Sequence, residues 1–210
     1  MAYDGDDTRR RIFEAASAEF AEHGLAGARI DRIAAAAKAN KQAIYLYYGN
    51  KEKLFSIVVQ QKLDEFCDTV VVQPEAIAES VGELFDLYQQ DPDMLRLLLW
   101  EALDGGDELD ASEPERRADF MAKVGDLVDG GMVSHLPKAK RVRAAQDLLF
   151  TIMGLISWNF AVPRMSRIIL GEETDEAALA RRRAAVIEAA RVLAAAQETA
   201  PRTRARRSST

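Results

Sequence analysis

The sequence predicts an all-α protein, built as a small N-terminal three-helix head followed by an antiparallel helical bundle. Three observations carry this prediction. Apolar residues recur at three- and four-residue spacing along almost the whole chain. No long stretch alternates with the period of two that a half-buried strand needs. Gly, Pro and Asn residues also punctuate the apolar stretches where helices should start and stop.

The first helix is expected from about Thr8 to His23, with Ile12, Phe13, Ala16 and Phe20 on one stripe and Gly24 supplying the left-handed stop. A second covers about Asp31 to Ala37. A third runs from Lys41 to Tyr47, after Asn40, whose side chain suits the exposed amides of a helix start. The fourth opens at Asn50-Lys51-Glu52-Lys53, continues through Leu54, Ile57, Val58 and Leu63 toward Val71, and ends before Pro74. Glu75 to Gln90 and Met94 to Leu103 follow, with Pro92 at a first helical turn. Asp104 to Ser112 reads as an acidic, Gly-containing loop. Pro114 to about Gly130, Ala139 to Val162 with a short continuation past Pro163 to Leu170, and Asp175 to about Glu198 complete the helices. The expected organisation is a head over residues 1–50, a helical body over 51–200, and a basic tail over 201–210 whose Arg, Ser and Thr content suggests disorder.

Composition narrows the function. Hydrophobic residues make up 48% and charged residues 30% of the 210 residues, as in globular proteins. No apolar run reaches the roughly 18 residues of a membrane span, and the acidic start resembles no secretion signal, so a cytoplasmic protein without membrane association is expected. Cys67 is the single cysteine, which excludes an intrachain disulfide. Neither His23 nor His135 belongs to a ligand-spaced cluster, so neither metal nor cofactor is expected. No nucleophile, base and orienter assemble from local motifs, and an enzyme is not expected. The net charge of −6 hides an uneven distribution. Residues 1–55 carry nine Lys/Arg against eight Asp/Glu, and residues 56–200 carry fifteen against twenty-six. A near-neutral head on an acidic body allows a few local cations to hold a polyanion while the body is kept from it.

The informative stretch is Gly27 to Phe55, GARIDRIAAAAKANKQAIYLYYGNKEKLF. Ile30, Ile33, Ala34 and Ala37 make the inner face of a short helix. After a three-residue turn, Ala43, Ile44 and Tyr47 begin another, which is the plan of a helix-turn-helix. This stretch resembles the TetR (tetracycline-repressor) type of bacterial regulator. Ile33-Ala34, the small Ala37, the cap Asn40, Lys41, the aromatic run Tyr45-Leu46-Tyr47-Tyr48 and Gly49-Asn50-Lys51-Glu52-Lys53-Leu54-Phe55 follow that family's pattern over roughly residues 8–60. Two departures stand out: Lys38 occupies a turn position usually given to Gly, and Arg29 replaces a common Thr. The resemblance implies a homodimer that binds double-stranded operator DNA, most often as a repressor, and that a small molecule releases.

Lys41 and Gln42 open the recognition helix, where lysine suits guanine and glutamine suits adenine. Tyr45 lies one turn further along the same face. Arg29, Tyr47 and Lys51 are candidates for the phosphate backbone, and Asn40 caps the helix that delivers them. Tyr48 is expected in the core. In the body, the 144–160 helix is apolar on more than one face and the last helix is rich in alanine. By resemblance, Leu148, Leu149, Ile152, Ile156, Ala185 and Ala189 are expected at a dimer interface. Phe85, Tyr88, Met94, Trp100, Phe120, Met121 and Trp158 are the expected linings of a cavity for an apolar or aromatic effector. Two other readings remain open at this point: a DNA binder without an effector, and a helical ligand-binding protein that does not bind an operator.

Overall fold

A computed structural model describes residues 2–69, 73, 76–104, 113–171 and 176–199. Among them the chain forms the helices α1 (Ala2–Gly27), α2 (Ile30–Ala36), α3 (Lys41–Tyr48), α4 (Lys51–Thr69), α5 (Ile77–Gln90), α6 (Pro92–Asp104), α7 (Glu113–Asp129), α8 (Lys138–Ala161), α9 (Pro163–Leu170) and α10 (Glu176–Thr199). The described residues contain no strand. The expectations placed on Val71, Pro74, most of the 104–112 loop and the 201–210 tail lie outside the described residues.

The largest departure in helix bounds is at the start, where α1 begins at Ala2 rather than near Thr8. Its first turns are held by ion pairs one turn apart, Asp7 with Arg10 at 2.7 Å and with Arg11 at 2.9 Å. The helical path breaks at Gly24 (φ 66°), as its sequence position implies. The indole of Trp100 lies so close that a Cβ on Gly24 would meet its ring at 2.7 Å, so both backbone angle and packing require glycine here.

Contacts divide the chain into two compact units. The first combines Met1–Thr69 with Leu87–Arg117. In it α1 packs on α2, α4 and α6. Ile12, Phe20, Ile33, Ile44, Leu54, Val58 and Leu97 are fully buried, and the rings of Phe20 and Phe55 meet edge-on at 5.1 Å. α6 ties itself to the end of α1: Trp100 Nε1 donates to the Ala21 carbonyl at 3.2 Å, and Leu25 N donates to Asp104 at 2.9 Å. Trp100 therefore belongs to the packing against α1. Met94 and Tyr88 are also buried in this unit, with Tyr88 edge-on to Phe66 at 5.1 Å. Burial, with Cys67 beside it, pushes the Tyr88 hydroxyl up to about 12.

The second unit combines Val70–Asp86 with Ala118–Thr210, and in it α8 packs on α10. The rings of Phe85 and Phe160 meet at a tilt, with centroids 5.0 Å apart, and Arg183 makes a two-pronged pair with Asp86 at 2.7 and 2.8 Å. The stripe of α8 that faces this interior is Ala145, Leu148, Ile152 and Ile156. Three residues expected at a dimer interface are thus spent inside the chain, because this stripe packs within the same unit and Ile152 is only 4% exposed. Leu149 and Ala189 are half-buried and Ala185 is exposed. The outer face of α8 instead carries Phe150, 81% exposed, and Trp158, 60% exposed. Phe120 and Met121 are half-buried on α7. The expected cavity residues therefore fall into both units, and Trp158 faces solvent.

Candidate nucleic-acid interface

The head is a short helix and a presenting helix wedged into the core by one face each. On α3, Ile44 and Tyr48 are buried, while Lys41, Gln42, Tyr45 and Leu46 are exposed. The helical period puts positions i, i+1, i+4 and i+5 on one side, so these four make a single outward face. Leu46, 81% exposed, was not among the sequence candidates. Its outward place follows from the buried pair Ile44 and Tyr48, and its side chain matches the apolar contact that a thymine methyl offers.

Several bonds fix how α3 leaves the turn. Asn40 Oδ1 accepts from Ala43 N at 2.7 Å, the expected cap. Lys38 adopts φ 51°, the left-handed conformation that the family's glycine reaches without a steric penalty. Arg11 on α1, missed in the sequence, donates from Nη1 to the carbonyl of Ala37 at 2.5 Å and to that of Lys38 at 3.4 Å. It thereby holds the turn from outside, and its own guanidinium is steadied by Asp7 and Thr8.

The start of α2 is held in a similar way. Arg29 offers no side-chain cap. Glu19 on α1 accepts from the Arg29 amide at 2.8 Å and from Arg32 Nε at 2.8 and 3.0 Å. Burial would raise the Glu19 pKa, but the Arg32 guanidinium and the Arg29 amide outweigh it and hold the carboxyl below its ordinary range. Asn50 repeats the device at α4, accepting from Lys53 N at 2.7 Å.

Arg29 is exposed. The Lys41 ammonium pairs with Asp31 on α2, and the hydrogen bond it donates to that carboxylate raises its pKa. Lys51 is half-buried with Nζ 3.4 Å from the Ala28 carbonyl, at the N-terminal end of α4. Tyr47 is half-buried under the Arg9 guanidinium, which sits 5.6 Å from its ring centre. Tyr48 is buried and donates to the Arg9 carbonyl at 2.9 Å. Neither Arg9 nor Arg11 could be ranked from the sequence, because three consecutive arginines on a helix differ only in the direction each faces.

No group of three or more His, Cys, Asp or Glu side chains suited to a metal ion occurs among the described residues. No single described helix is long and apolar enough to cross a membrane.

Comparison with known proteins agrees with this geometry. Residues 12–58 match the family "Bacterial regulatory proteins, tetR family", and residues 77–191 match "Tetracyclin repressor-like, C-terminal domain". The HTH-type transcriptional repressor SCO4008 of Streptomyces coelicolor is 44% identical over 170 residues, covering 81% of this chain and 87% of that protein. The HTH-type transcriptional repressor NicS of Pseudomonas putida is 35% identical over 112 residues, covering 50% and 53%. The crystal structure of the regulator SCO4942 from Streptomyces coelicolor superposes with a TM-score of 0.73 at 28% identity, covering 89% and 97% of the two chains.

Proposed function

The chain belongs to the TetR family of DNA-binding transcriptional repressors, and from that premise we propose that two copies present their α3 helices to an inverted-repeat operator and that a small molecule releases them. The observation that carries the DNA-reading part is the outward face of α3: Lys41, Gln42, Tyr45 and Leu46 are free of the core while Ile44 and Tyr48 anchor the helix. Gln42 reads an adenine, Leu46 meets a thymine methyl, and Lys41 exchanges Asp31 for a base or phosphate. Arg29 and Lys51 hold the backbone, Lys51 beside the helix N-terminus that itself attracts phosphate. A two-fold dimer sets its α3 helices about 34–36 Å apart or at a multiple of that spacing, which demands a repeat.

The second copy is proposed to cover the outer face of α8 and α10, where Phe150, Trp158, Ala185 and Val192 are exposed. Burying an aromatic side chain of this kind contributes about 1.5–3 kcal/mol. For release, α6 is the proposed lever. Its start supplies Met94 to a cavity of about 190 Å³ shared with Phe66, Thr69 and Leu87, and its end holds α1 through Trp100 and Asp104. That volume is below the roughly 300–1,000 Å³ of ordinary ligand sites. A ligand of that size must therefore move a wall, and moving α6 disturbs the support of the head.

Selection of bound fragments from random DNA, with the wild type and with Gln42→Ala, tests the reading. An inverted repeat is expected, with preference relaxed at one position per half-site in the variant. A selected pool without two-fold symmetry, or a Gln42→Ala pool identical to the wild type, refutes it.

A further inference from the structure

Two neighbouring arginines on α10 are treated in opposite ways. Arg183 is partly exposed and paired, its Nε and Nη2 both donating to Asp86. Arg182 is only 5% exposed, and its Nε and Nη2 have no hydrogen-bond partner among the described residues. It sits on the inward stripe of α10, in register with Ala178, Val186, Ala190 and Ala194, all buried. A guanidinium stays charged at any pH a protein meets, so it cannot escape burial by losing its proton. An unpaired buried charge is among the most unfavourable groups a fold can keep. The exposed acids of the same helix, such as Glu188, lie on its other side.

We propose that Arg182 is the anion-receiving end of a second small-molecule site, within the C-terminal unit, for a monocarboxylate with an apolar body. The carboxylate matches the fork of the guanidinium, whose Nε and Nη2 edge offers two parallel donors. The apolar body matches the stripe on which Arg182 stands, where the nearest turns offer only Ala178 and Val186. The site does not depend on the proposed role of α6.

The test is thermal unfolding of the full-length protein with millimolar hexanoate or benzoate, and with hexanamide or benzamide as neutral counterparts. The wild type should gain stability with the acids and not with the amides. Arg182→Met keeps length and removes charge. It should unfold a few degrees higher than the wild type without ligand, about 2–4 °C for each kcal/mol in a chain of this size, and bind the acids at least about tenfold more weakly. Arg183→Met, which breaks the Asp86 pair, should unfold lower and keep the response to acids. An Arg182→Met protein that is less stable or does not fold would show that Arg182 is already paired, and would overturn the proposal. Acids that stabilise Arg182→Met as much as the wild type, or amides that act as the acids do, would also overturn it. Operator occupancy measured in parallel separates the two readings: acids that bind through Arg182 without releasing DNA leave this site standing, and an amide that releases DNA bears only on the α6 lever.

Discussion

In the unit that carries α2 and α3, charged side chains end on partners inside the chain: Arg11 on the turn carbonyls, Arg32 on Glu19, Lys41 on Asp31. In the unit that carries α8 and α10, Arg182 is buried without a partner among the described residues, and Phe150 and Trp158 stand in solvent. The first unit thus fixes the face of α3 with its own bonds. On the proposals made above, the second leaves polar and apolar groups for another molecule to meet. A DNA reader has to hold its geometry before it meets the duplex, because contacts made by a preformed face cost little ordering. A surface that joins copies or takes a ligand has to keep part of its chemistry unmet.

The sharpest way to break this contrast is to charge each face of α8 in turn. Phe150→Asp should leave the helical content and thermal stability of each chain near the wild type, turn the dimer into a monomer in light scattering, and remove operator binding. Ile152→Asp should instead unfold the chain or lower its stability by several kcal/mol, since a carboxylate would replace a buried apolar side chain with no partner. If Ile152→Asp gave a folded monomer and Phe150→Asp a normal dimer, the two faces would have to be exchanged.

The head was legible from sequence to a degree that the body was not. Ile33, Ile44 and Asn40 each have one local job, burial on a short helix or capping its first turn, and local spacing reveals such jobs. The left-handed angle at Lys38 was signalled by the family resemblance, which usually puts Gly at this turn position. Arg11 and Glu19 were not readable: each acts on a turn many residues away, and their neighbours Arg10 and Glu22 have the same chemistry. In α8 the composition is apolar on more than one face, so periodicity alone could not tell the interior stripe of Leu148, Ile152 and Ile156 from the outer one of Phe150 and Trp158. Leu46 was hidden by its apolar character, which reads as core until its helix is seen to be full on the other side.

Within the finished face, loss of one base contact should be the next largest effect. Gln42→Ala should cost about 1–3 kcal/mol of discrimination per half-site at the affected base and leave binding to other sequences nearly unchanged. Lys51→Ala should weaken all sequences alike and flatten the salt dependence. Competition titrations at two salt concentrations distinguish a base reader from a backbone holder, and the reverse pattern would exchange the two assignments.

The Glu19 bracket should show its worth through pH. Its carboxyl is held below the ordinary range on folding, so the stability it contributes is present above the unfolded value of about 4.3. That stability is lost as pH falls through the lower folded value. Glu19→Gln should therefore unfold earlier than the wild type at neutral pH, by about 1–2 kcal/mol for a charge-assisted bond of this exposure. The difference should shrink toward zero on the acid side. A difference that stays constant down to pH 3 would mean that the carboxylate charge does not matter, and that the side chain serves only by filling space.

The smallest effect concerns the turn itself. Lys38 holds a left-handed angle that costs a side-chain-bearing residue about 1 kcal/mol relative to glycine, and Arg11 bonds to the carbonyls on both sides of the strained peptide. Lys38→Gly should raise stability by about 0.5–1 kcal/mol, less the extra freedom glycine gives the unfolded chain. Arg11→Ala should lower both stability and operator affinity, because the turn that aims α3 loses its outside support while the outward face stays intact. If Arg11 offsets the strain at Lys38, the two changes must couple: Lys38→Gly should recover more in the Arg11→Ala background than it adds to the wild type. A double-mutant cycle read by operator affinity measures that difference directly. Additive changes would mean that Arg11 and Lys38 act independently, with the preformed geometry of α3 resting on the Asn40 cap and on the burial of Ile44 and Tyr48.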